Sequence, residues 1–582
     1  RRCNHCSIDP PQKIALATWW EKNRKSMAPQ KEETRPLLAD TVEPTSTTKS
    51  VDDTAQKLQG PAPAASNLAV LAAFLFPAIG GLLFGFDIGG TSAVMSQLES
   101  SAYSGVDWYY YIADSTFLQG LITSIGIAGA MVGSMICFKV GDFLGRRKEL
   151  LISALLYFLG GLLECQSGAF TTVAQASAAL TMLIAGRITF GVACGFAMHG
   201  APAYIAEMAP SSIRGLLISL KEAFIVVGIL IGYVLGYVYD ETAGGWRYVY
   251  GSSMLFAAAM FVGMLMLPPS SRWLVTRGRN EEAWASLKFI TPGARQADFD
   301  ELVRAFEESR AVAEASSKQG WEALTTGPCR LALIAGCGVV VLQQVTGQPS
   351  VLYYADSIFA DVGLDSIASV LVGSFKLVAT LYAVLTVDSQ GRKKLLFIGV
   401  GMMLVGLLVL TVAYMFPYMS VDDCNALTDE DECSDLCSWD DDCTCDSSSS
   451  DCTCCGVGSF NFQKGAILAA MFTYIGGYQV GFGPIAWLLI SEVFPMELRG
   501  KAISVAVVVN FLVMTLMTFE FATEVDLIGE SATFFLFAVV DAYALYFIHK
   551  NVPETKGLSL EQIEAFFVEQ DNALKQSQKA FV

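Results

Sequence analysis

Hydrophobic residues run along this chain in long unbroken blocks. Residues 68–86, 116–138 and 395–419 contain no Asp, Glu, Lys or Arg. Each block exceeds the roughly 18 apolar residues that suggest a bilayer-spanning helix. A helix lying on a soluble core would keep a polar stripe, and these have none. The pattern predicts twelve spans, at about 68–95, 116–138, 150–170, 178–201, 219–239, 248–267, 330–354, 366–387, 395–418, 464–490, 501–519 and 532–549. The loops after the even-numbered spans hold Arg146, Arg147, Lys148, Arg214, Arg272, Arg277, Arg279, Arg392, Lys393, Lys394, Arg499 and Lys501, whereas the opposite loops hold little beyond Arg247 and Lys464. Basic loops face the cytosol, so both termini are expected there.

The polar punctuation between the blocks repeats. Gly141-Asp-Phe-Leu-Gly-Arg-Arg-Lys148 recurs as Asp388-Ser-Gln-Gly-Arg-Lys-Lys394, 246 residues later (388 − 142). Glu207…Arg214-Gly215 recurs as Glu492…Arg499-Gly500, 285 residues later (492 − 207), and Pro268 pairs with Pro553 at the same offset. The offset grows by 39 (285 − 246), which places an insertion of that size in the second copy. A duplicated, embedded chain points to a transporter with its substrate between the copies. The expected fold is therefore an all-α membrane protein of twelve transmembrane helices in two six-helix halves. Residues 67–268 form the first half, 269–329 a cytosolic linker of short helices, 330–549 the second half and 550–582 a cytosolic tail.

Composition sharpens this reading. Of 582 residues, 53% are hydrophobic and 16% charged, against roughly 25% charged in soluble domains. The net charge of −18 does not advertise a cationic partner, because the acid is local. Residues 420–455, inside the 419–463 loop that carries the insertion, hold twelve acids, no Lys or Arg, and eight Cys: Cys424, Cys433, Cys437, Cys443, Cys445, Cys452, Cys454 and Cys455. The topology puts this loop outside the cell or in a lumen, where disulfides persist, and an even count fits a stapled minidomain. Metal capture and an acidic cation-collecting surface are the alternatives. Membrane cysteines such as Cys137 and Cys194 read as small apolar packing residues.

Residues 1–66 are polar and read as a disordered cytosolic region. The first Met is Met27, so residues 1–26 are expected to lie upstream of the true start or to be removed; a transit peptide is the other option. Cys3-Asn-His-Cys6 resembles half of a zinc site but has no second half nearby. Glu33-Thr-Arg-Pro-Leu37-Leu38 fits an acidic di-leucine sorting signal, a short pattern also common by chance.

Ionisable residues inside spans are costly and therefore candidates for function. Asp87 lies in the first span, Arg187 in the fourth, Glu222 in the fifth and Lys376 in the eighth. Structural pairing is the plain alternative, and it is preferred for Glu164 and Asp541. For Asp87, burial favours the neutral acid while a neighbouring Arg187 favours the carboxylate. A conformational change that separates them would load a proton. Uncharged polar residues mark a ligand. Gln343 and Gln344 precede Gly347 and Pro349 within a span, and broken helices line cavities rather than lipid. Amides offer paired donors and acceptors to vicinal hydroxyls. Gly483-Pro484-Ile-Ala-Trp487 supplies a second break with an aromatic plate.

Six motifs then resemble a known family. They are Gly141-Asp-Phe-Leu-Gly-Arg-Arg-Lys, Tyr204-Ile-Ala-Glu-Met-Ala-Pro…Arg214-Gly, Ser271-Arg-Trp-Leu, Gln343-Gln344…Gly347…Tyr353-Tyr354, Gly483-Pro-Ile-Ala-Trp…Glu492-Val-Phe-Pro…Arg499-Gly and Pro553-Glu-Thr-Lys-Gly. Together and in order, over about 68–570, they resemble the sugar porters of the major facilitator superfamily. Met198-His-Gly-Ala-Pro-Ala-Tyr, Ser219-Leu-Lys-Glu-Ala-Phe and Gln348-Pro-Ser-Val-Leu-Tyr-Tyr resemble the vacuolar glucose transporter and plant D-xylose–proton symporter-like subgroup.

The resemblance implies roles. Gln343, Gln344, Trp487, Asn510, Glu222 and Tyr353 would bind substrate. Asp87 and Arg187 would couple protons. Asp142, Arg146, Arg147, Glu207, Arg214, Asp388, Arg392, Glu492 and Arg499 would form the cytosolic gating network. Glu222 stands where a Gln is usual, Pro349 where an Asn is usual, and Lys376 where some members carry Asn. The implied function is secondary transport of a monosaccharide, glucose or xylose, coupled to protons. A passive facilitator and a sugar sensor are the alternatives; only about thirty residues follow the last span, whereas sensors have long cytosolic tails. No nucleophile–base pair or metal set suggests an enzyme, and His199 reads as packed or pore-lining. Expected partners are a small-molecule sugar, protons and the lipid bilayer, with no nucleic acid, no cofactor and no resident metal. The chain is read as a monomer in a vacuolar or lysosome-like membrane or the plasma membrane, ahead of a plastid envelope.

Overall fold

A computed structural model of the chain describes residues 67–582 apart from 211–212, 305–306, 308–324, 326, 362–365, 416–442, 447–450, 455–461, 495–498, 557, 559 and 581–582. The zinc-like half motif, the di-leucine pattern and half of the cysteine-rich loop's thiols (Cys424, Cys433, Cys437 and Cys455) lie outside the described residues.

The protein is mostly helical. Six long helices come first: α1 (Asn67–Glu99), α2 (Thr116–Leu144), α3 (Arg146–Ser167), α4 (Ala176–Met208), α5 (Arg214–Tyr239) and α6 (Trp246–Met266). Two short helices follow, α7 (Ser271–Thr276) and α8 (Asn280–Ile290), in the charged segment expected to hold them. Then come α9 (Gly327–Val345), α10 (Gln348–Tyr353), α11 (Ala355–Asp361), α12 (Ile367–Gln390), α13 (Arg392–Ala413), α14 (Phe462–Val480), α15 (Phe482–Val493), α16 (Arg499–Asn551) and α17 (Leu560–Ala580). Among the described residues, ten helices are long and apolar enough to cross a membrane by length and composition.

The repeat in the sequence has a structural counterpart. The first copy of the basic motif breaks the chain at Gly145, which separates α2 from α3 with φ +80°; the second copy breaks at Gly391, between α12 and α13, with φ +95°. A side chain disfavours this backbone region, so glycine is what lets two apolar helices reverse direction around the basic cluster. Packing follows the same symmetry. Helix α3 packs on α4 as α13 packs on α14, and α1 packs on α5 as α9 packs on α16. The first six long helices meet the later ones where α2 lies on α16 and α5 on α12.

Two elements go beyond what was expected. The tail folds as helix α17 and buries Ile563 and Phe567, with α17 packed on α9 and α15. Its apolar residues Leu560, Ile563, Phe566 and Phe567 recur at helical spacing, the signal that marks it. Within the insertion, strands Cys443–Asp446 and Asp451–Cys454 pair antiparallel, with Cys443 opposite Cys454 and Cys445 opposite Cys452.

Candidate functional site

The site is built where helices break. Helix α9 ends at Val345, and Gly347 takes φ +81° before α10 starts with Pro349 near its N-terminus. Proline suits a first turn because its missing N–H is unpaired there anyway. The seventh expected span is thus two helices with an unwound joint, and Gln343, Gln344 and Gln348 flank that joint. The tenth expected span divides similarly, at Gly481 between α14 and α15.

A cavity of about 310 Å³ opens between these breaks, at the lower end of small-ligand pockets. Phe84 and Ile88 of α1, Glu222 of α5 and Asn510 of α16 line it, as do Gln343, Gln344, Gln348, Gln479 and Trp487. Gln344 donates from Nε2 to Asn510 Oδ1 at 2.7 Å, and Gln343 from Nε2 to the Phe482 carbonyl at 3.1 Å. Each donation orients an amide and leaves its carbonyl oxygen without a partner among the described residues; Gln348 Nε2 and Gln479 Oε1 are unpartnered too. Buried polar atoms are normally paired, so this wall of spare donors and acceptors beside an indole fits a polyhydroxylated ligand. Gln348 and Gln479 are contributors that the sequence reading did not single out, although Gln348 sits inside the broken-helix motif.

Charge enters the cavity in an unexpected order. Glu222 lines it but pairs with its neighbour, Lys221 Nζ to Oε1 at 2.9 Å. Lys376 also lines it and is 3% exposed. Its ammonium lies over the Tyr478 ring, 5.1 Å from the centroid.

Asp87 and Arg187 meet as expected. Arg187 donates from Nη1 to Asp87 Oδ1 and from Nη2 to Oδ2 at 3.3 Å. The guanidinium also donates to the carbonyls of Ile122 at 3.0 Å and Thr123 at 3.3 Å. It is fully buried. Glu164 Oε1 lies 3.9 Å from Nη1, in keeping with its structural reading. Tyr353 requires a correction. It is absent from the cavity lining and instead donates its hydroxyl to Asp87 Oδ2 at 3.1 Å. Asp541 requires another: it is fully buried, and neither of its carboxylate oxygens has a hydrogen-bond partner among the described residues.

The Tyr353 contact belongs to a seam that joins the first six long helices to the later ones. Thr123 meets the Tyr354 hydroxyl at 2.9 Å, Tyr233 donates to the Leu352 carbonyl at 2.8 Å, Ser92 accepts from the Asp356 amide at 3.0 Å, and Ser366 donates to Asp240 at 2.6 Å. All lie on the side away from the basic loops.

On the basic side the duplicated charges pair within each copy. Arg146 Nε donates to Glu207 at 3.2 Å, and its counterpart Arg392 Nη2 donates to Glu492 at 3.0 Å. The partners keep the offsets read from sequence, 246 (392 − 146) and 285 (492 − 207). Arg147 donates to the carbonyls of Met264 at 3.1 Å and Leu265 at 2.8 Å. The side chains of Asp142, Arg214, Asp388 and Arg499 lie outside the described ones.

Known proteins resemble this chain over most of its length. The family described as Sugar (and other) transporter matches residues 73–426 and 445–567. The chain is 39% identical to the D-xylose-proton symporter-like 2 protein of Arabidopsis thaliana, over 86% of this chain and 91% of that one. It is also 39% identical to the chloroplastic D-xylose-proton symporter-like 3 of the same plant, over 85% and 82%. Among solved structures, the inward-open conformation of the xylose transporter XylE from E. coli aligns with a TM-score of 0.66 at 25% identity, over 85% of this chain and 99% of that one. These relatives are transporters rather than enzymes, and the chain, an integral multi-pass membrane protein, belongs to the sugar transporter family of the major facilitator fold.

Proposed function

We propose that this protein moves a monosaccharide, a hexose such as glucose or the pentose xylose, across a membrane by alternating access, coupled to protons. The sugar would sit in the cavity between Gln343, Gln344, Asn510 and Trp487. Glu222 and Lys376, at positions that depart from the family pattern, would tune which sugar is accepted. The observation that carries the coupling is adjacency. Asp87 lies on α1 between Phe84 and Ile88, and Tyr353 follows Leu352; those three neighbours line the cavity. The titratable cluster is therefore one residue behind the sugar wall. In the conformation described, Arg187 and Tyr353 hydrogen-bond the two carboxyl oxygens of Asp87. Opening the seam removes Tyr353, and movement of Arg187 would leave the acid to take up a proton.

Twelve spans in two six-helix halves, with cytosolic termini, support this cycle best. Helix α16 has 53 residues and a non-helical joint at Gly529, φ +80°. At 1.5 Å per residue an unbroken helix of that length would run about 80 Å, more than twice a bilayer's roughly 30 Å core, so it counts as two spans. Helices α14 and α15 together count as one. The closed seam then faces away from the cytosol, and the cavity is reached from the cytosolic side. The Arg146–Glu207 and Arg392–Glu492 pairs would re-form as inter-half contacts when that side closes. A vacuolar-type or plasma membrane is the proposed location, with the plastid envelope as the alternative.

Uptake of radiolabelled xylose and glucose into proteoliposomes, with and without an inward proton gradient, tests the function. Accumulation above equilibrium only with the gradient is expected. Equilibration without accumulation would make the protein a passive facilitator, and binding without uptake would make it a sensor.

A further inference from the structure

Beneath the first basic motif, three helices bring together a thiol, a carboxylate and an imidazole. Cys137 belongs to α2, Glu149 to the first turn of α3 and His199 to α4. One ligand atom from each lies within 4.8 Å of the other two. His199 Nδ1 is 2.5 Å from Glu149 Oε1, while Glu149 Oε2 is buried with no hydrogen-bond partner among the described residues. Cys137 and Glu149 are 1% and 0% exposed, and the His199 side chain is 24% exposed. Glycines wall the cluster. A Cβ on Gly141 would come 3.0 Å from His199 Cε1, and one on Gly200 would come 3.2 Å from Glu149 Cδ.

We propose that Cys137, Glu149 and His199 form a zinc site. A nitrogen, an oxygen and a thiolate sulfur are the donor set that Zn²⁺ takes in tetrahedral geometry, with water in the fourth position. Tetrahedral zinc bonds of 2.0–2.3 Å put ligand atoms about 3.5 Å apart, inside the 4.8 Å that bounds the present set, and a turn of the partly exposed imidazole opens its close contact with Glu149 to that spacing. Zinc displaces the thiol proton, which is released to solvent, binds the neutral imidazole at Nδ1 with the ring proton on Nε2, and gives the orphaned carboxylate oxygen a partner.

The cluster is no part of the duplicated framework. At the repeat offsets the second copy has Ala383, Leu395 and Pro484, of which Ala383 and Leu395 are buried apolar residues. Both copies build the same helix pairs, so the fold does not need the three donors. Sequence reading expected Cys137 to pack and His199 to pack or line the pore; nothing in the spacing of positions 137, 149 and 199 shows that they converge. The site is independent of which sugar, or any sugar, is transported.

Full-length protein, its Cys137→Ala variant and its His199→Asn variant would each be incubated with excess ZnCl₂, desalted and assayed for zinc by mass spectrometry. The wild type is expected to retain one equivalent more than either variant; the cysteine-rich loop contributes equally to all three. Co²⁺ in place of zinc should give a thiolate-to-cobalt absorption band in the wild type that is lost in Cys137→Ala. Zinc should raise the melting temperature of the wild type more than that of either variant. Equal zinc retention in the three proteins, or no thiolate band difference, overturns the proposal.

Discussion

Replacing Asp87 by Asn removes a charge from a deeply buried ion pair while keeping its shape. The carboxylate accepts two hydrogen bonds from Arg187 and one from Tyr353. Asn can keep one acceptor toward the guanidinium and turn its amide toward the tyrosine oxygen. Charge-assisted bonds contribute about 1.5–3 kcal/mol each and neutral ones about 0.5–1.5. Converting or losing the two Arg187 bonds therefore costs about 2–3 kcal/mol. That is below the roughly 3–5 kcal/mol of an uncompensated buried charge, because Glu164 remains 3.9 Å from the guanidinium. Since Tyr353 sits across the seam, part of this loss falls on the described conformation rather than on folding. The variant should fold, melt somewhat lower, exchange labelled sugar at equilibrium and fail to accumulate sugar when a proton gradient is applied. Glu222→Gln, assayed beside it, should keep gradient-driven uptake, because Glu222 pairs with Lys221 away from the acid cluster. Driven uptake that survives in Asp87→Asn and disappears in Glu222→Gln would refute this assignment and move coupling to the Glu222–Lys376 side of the cavity.

Three further outcomes are expected. Gln344→Ala removes a cavity amide and strips Asn510 of its partner, so half-saturation for sugar should rise several-fold, in line with about 0.5–1.5 kcal/mol for a bond to a neutral ligand; unchanged kinetics would take Gln344 out of the site. Burial pushes the Asp356 carboxyl up to about 7, with the Asp240 charge acting the same way and the Ser369 and Ser92 hydroxyls opposing; a folded value above the unfolded one of about 3.9 means stability present at acid pH is lost between about pH 4 and pH 7. Melting temperature should accordingly fall more from pH 5 to pH 7.5 in the wild type than in Asp356→Asn, and equal falls would count against it. Finally, the hairpin register predicts Cys443–Cys454 and Cys445–Cys452 disulfides, to be read by peptide mapping without reductant, and free thiols at these four positions in protein from its native membrane would favour metal capture instead.

The one-dimensional pattern was enough for whatever depends on local composition. Charge-free runs imply membrane helices because unpaired backbone groups are too costly in lipid. The repeated basic motif located both glycine reversals, at Gly145 and Gly391, and the changed offset located the insertion. Gly347 and Pro349 announced the broken helix, since both residues act on the backbone where they stand. The members of the basic-side charge network were legible from the repeated motifs, but that Arg146 pairs with Glu207 and Arg392 with Glu492 inside each copy came from the structure. What tertiary structure alone decided is which side chains converge from different helices. Tyr353 lies among cavity residues in sequence, yet helix rotation turns its hydroxyl onto Asp87. Glu222 and Lys376 both read as ionisable residues inside spans, and only the structure puts Lys221 on the Glu222 carboxylate and the cavity lysine beside the Tyr478 ring. Cys137, Glu149 and His199 are separated by 12 and 50 residues (149 − 137 and 199 − 149) and share no pattern. Helical period determines the face a residue occupies along its own axis, whereas depth, crossing angle and rotation between helices are set by packing across the whole bundle, and the chemistry of a buried site is decided there.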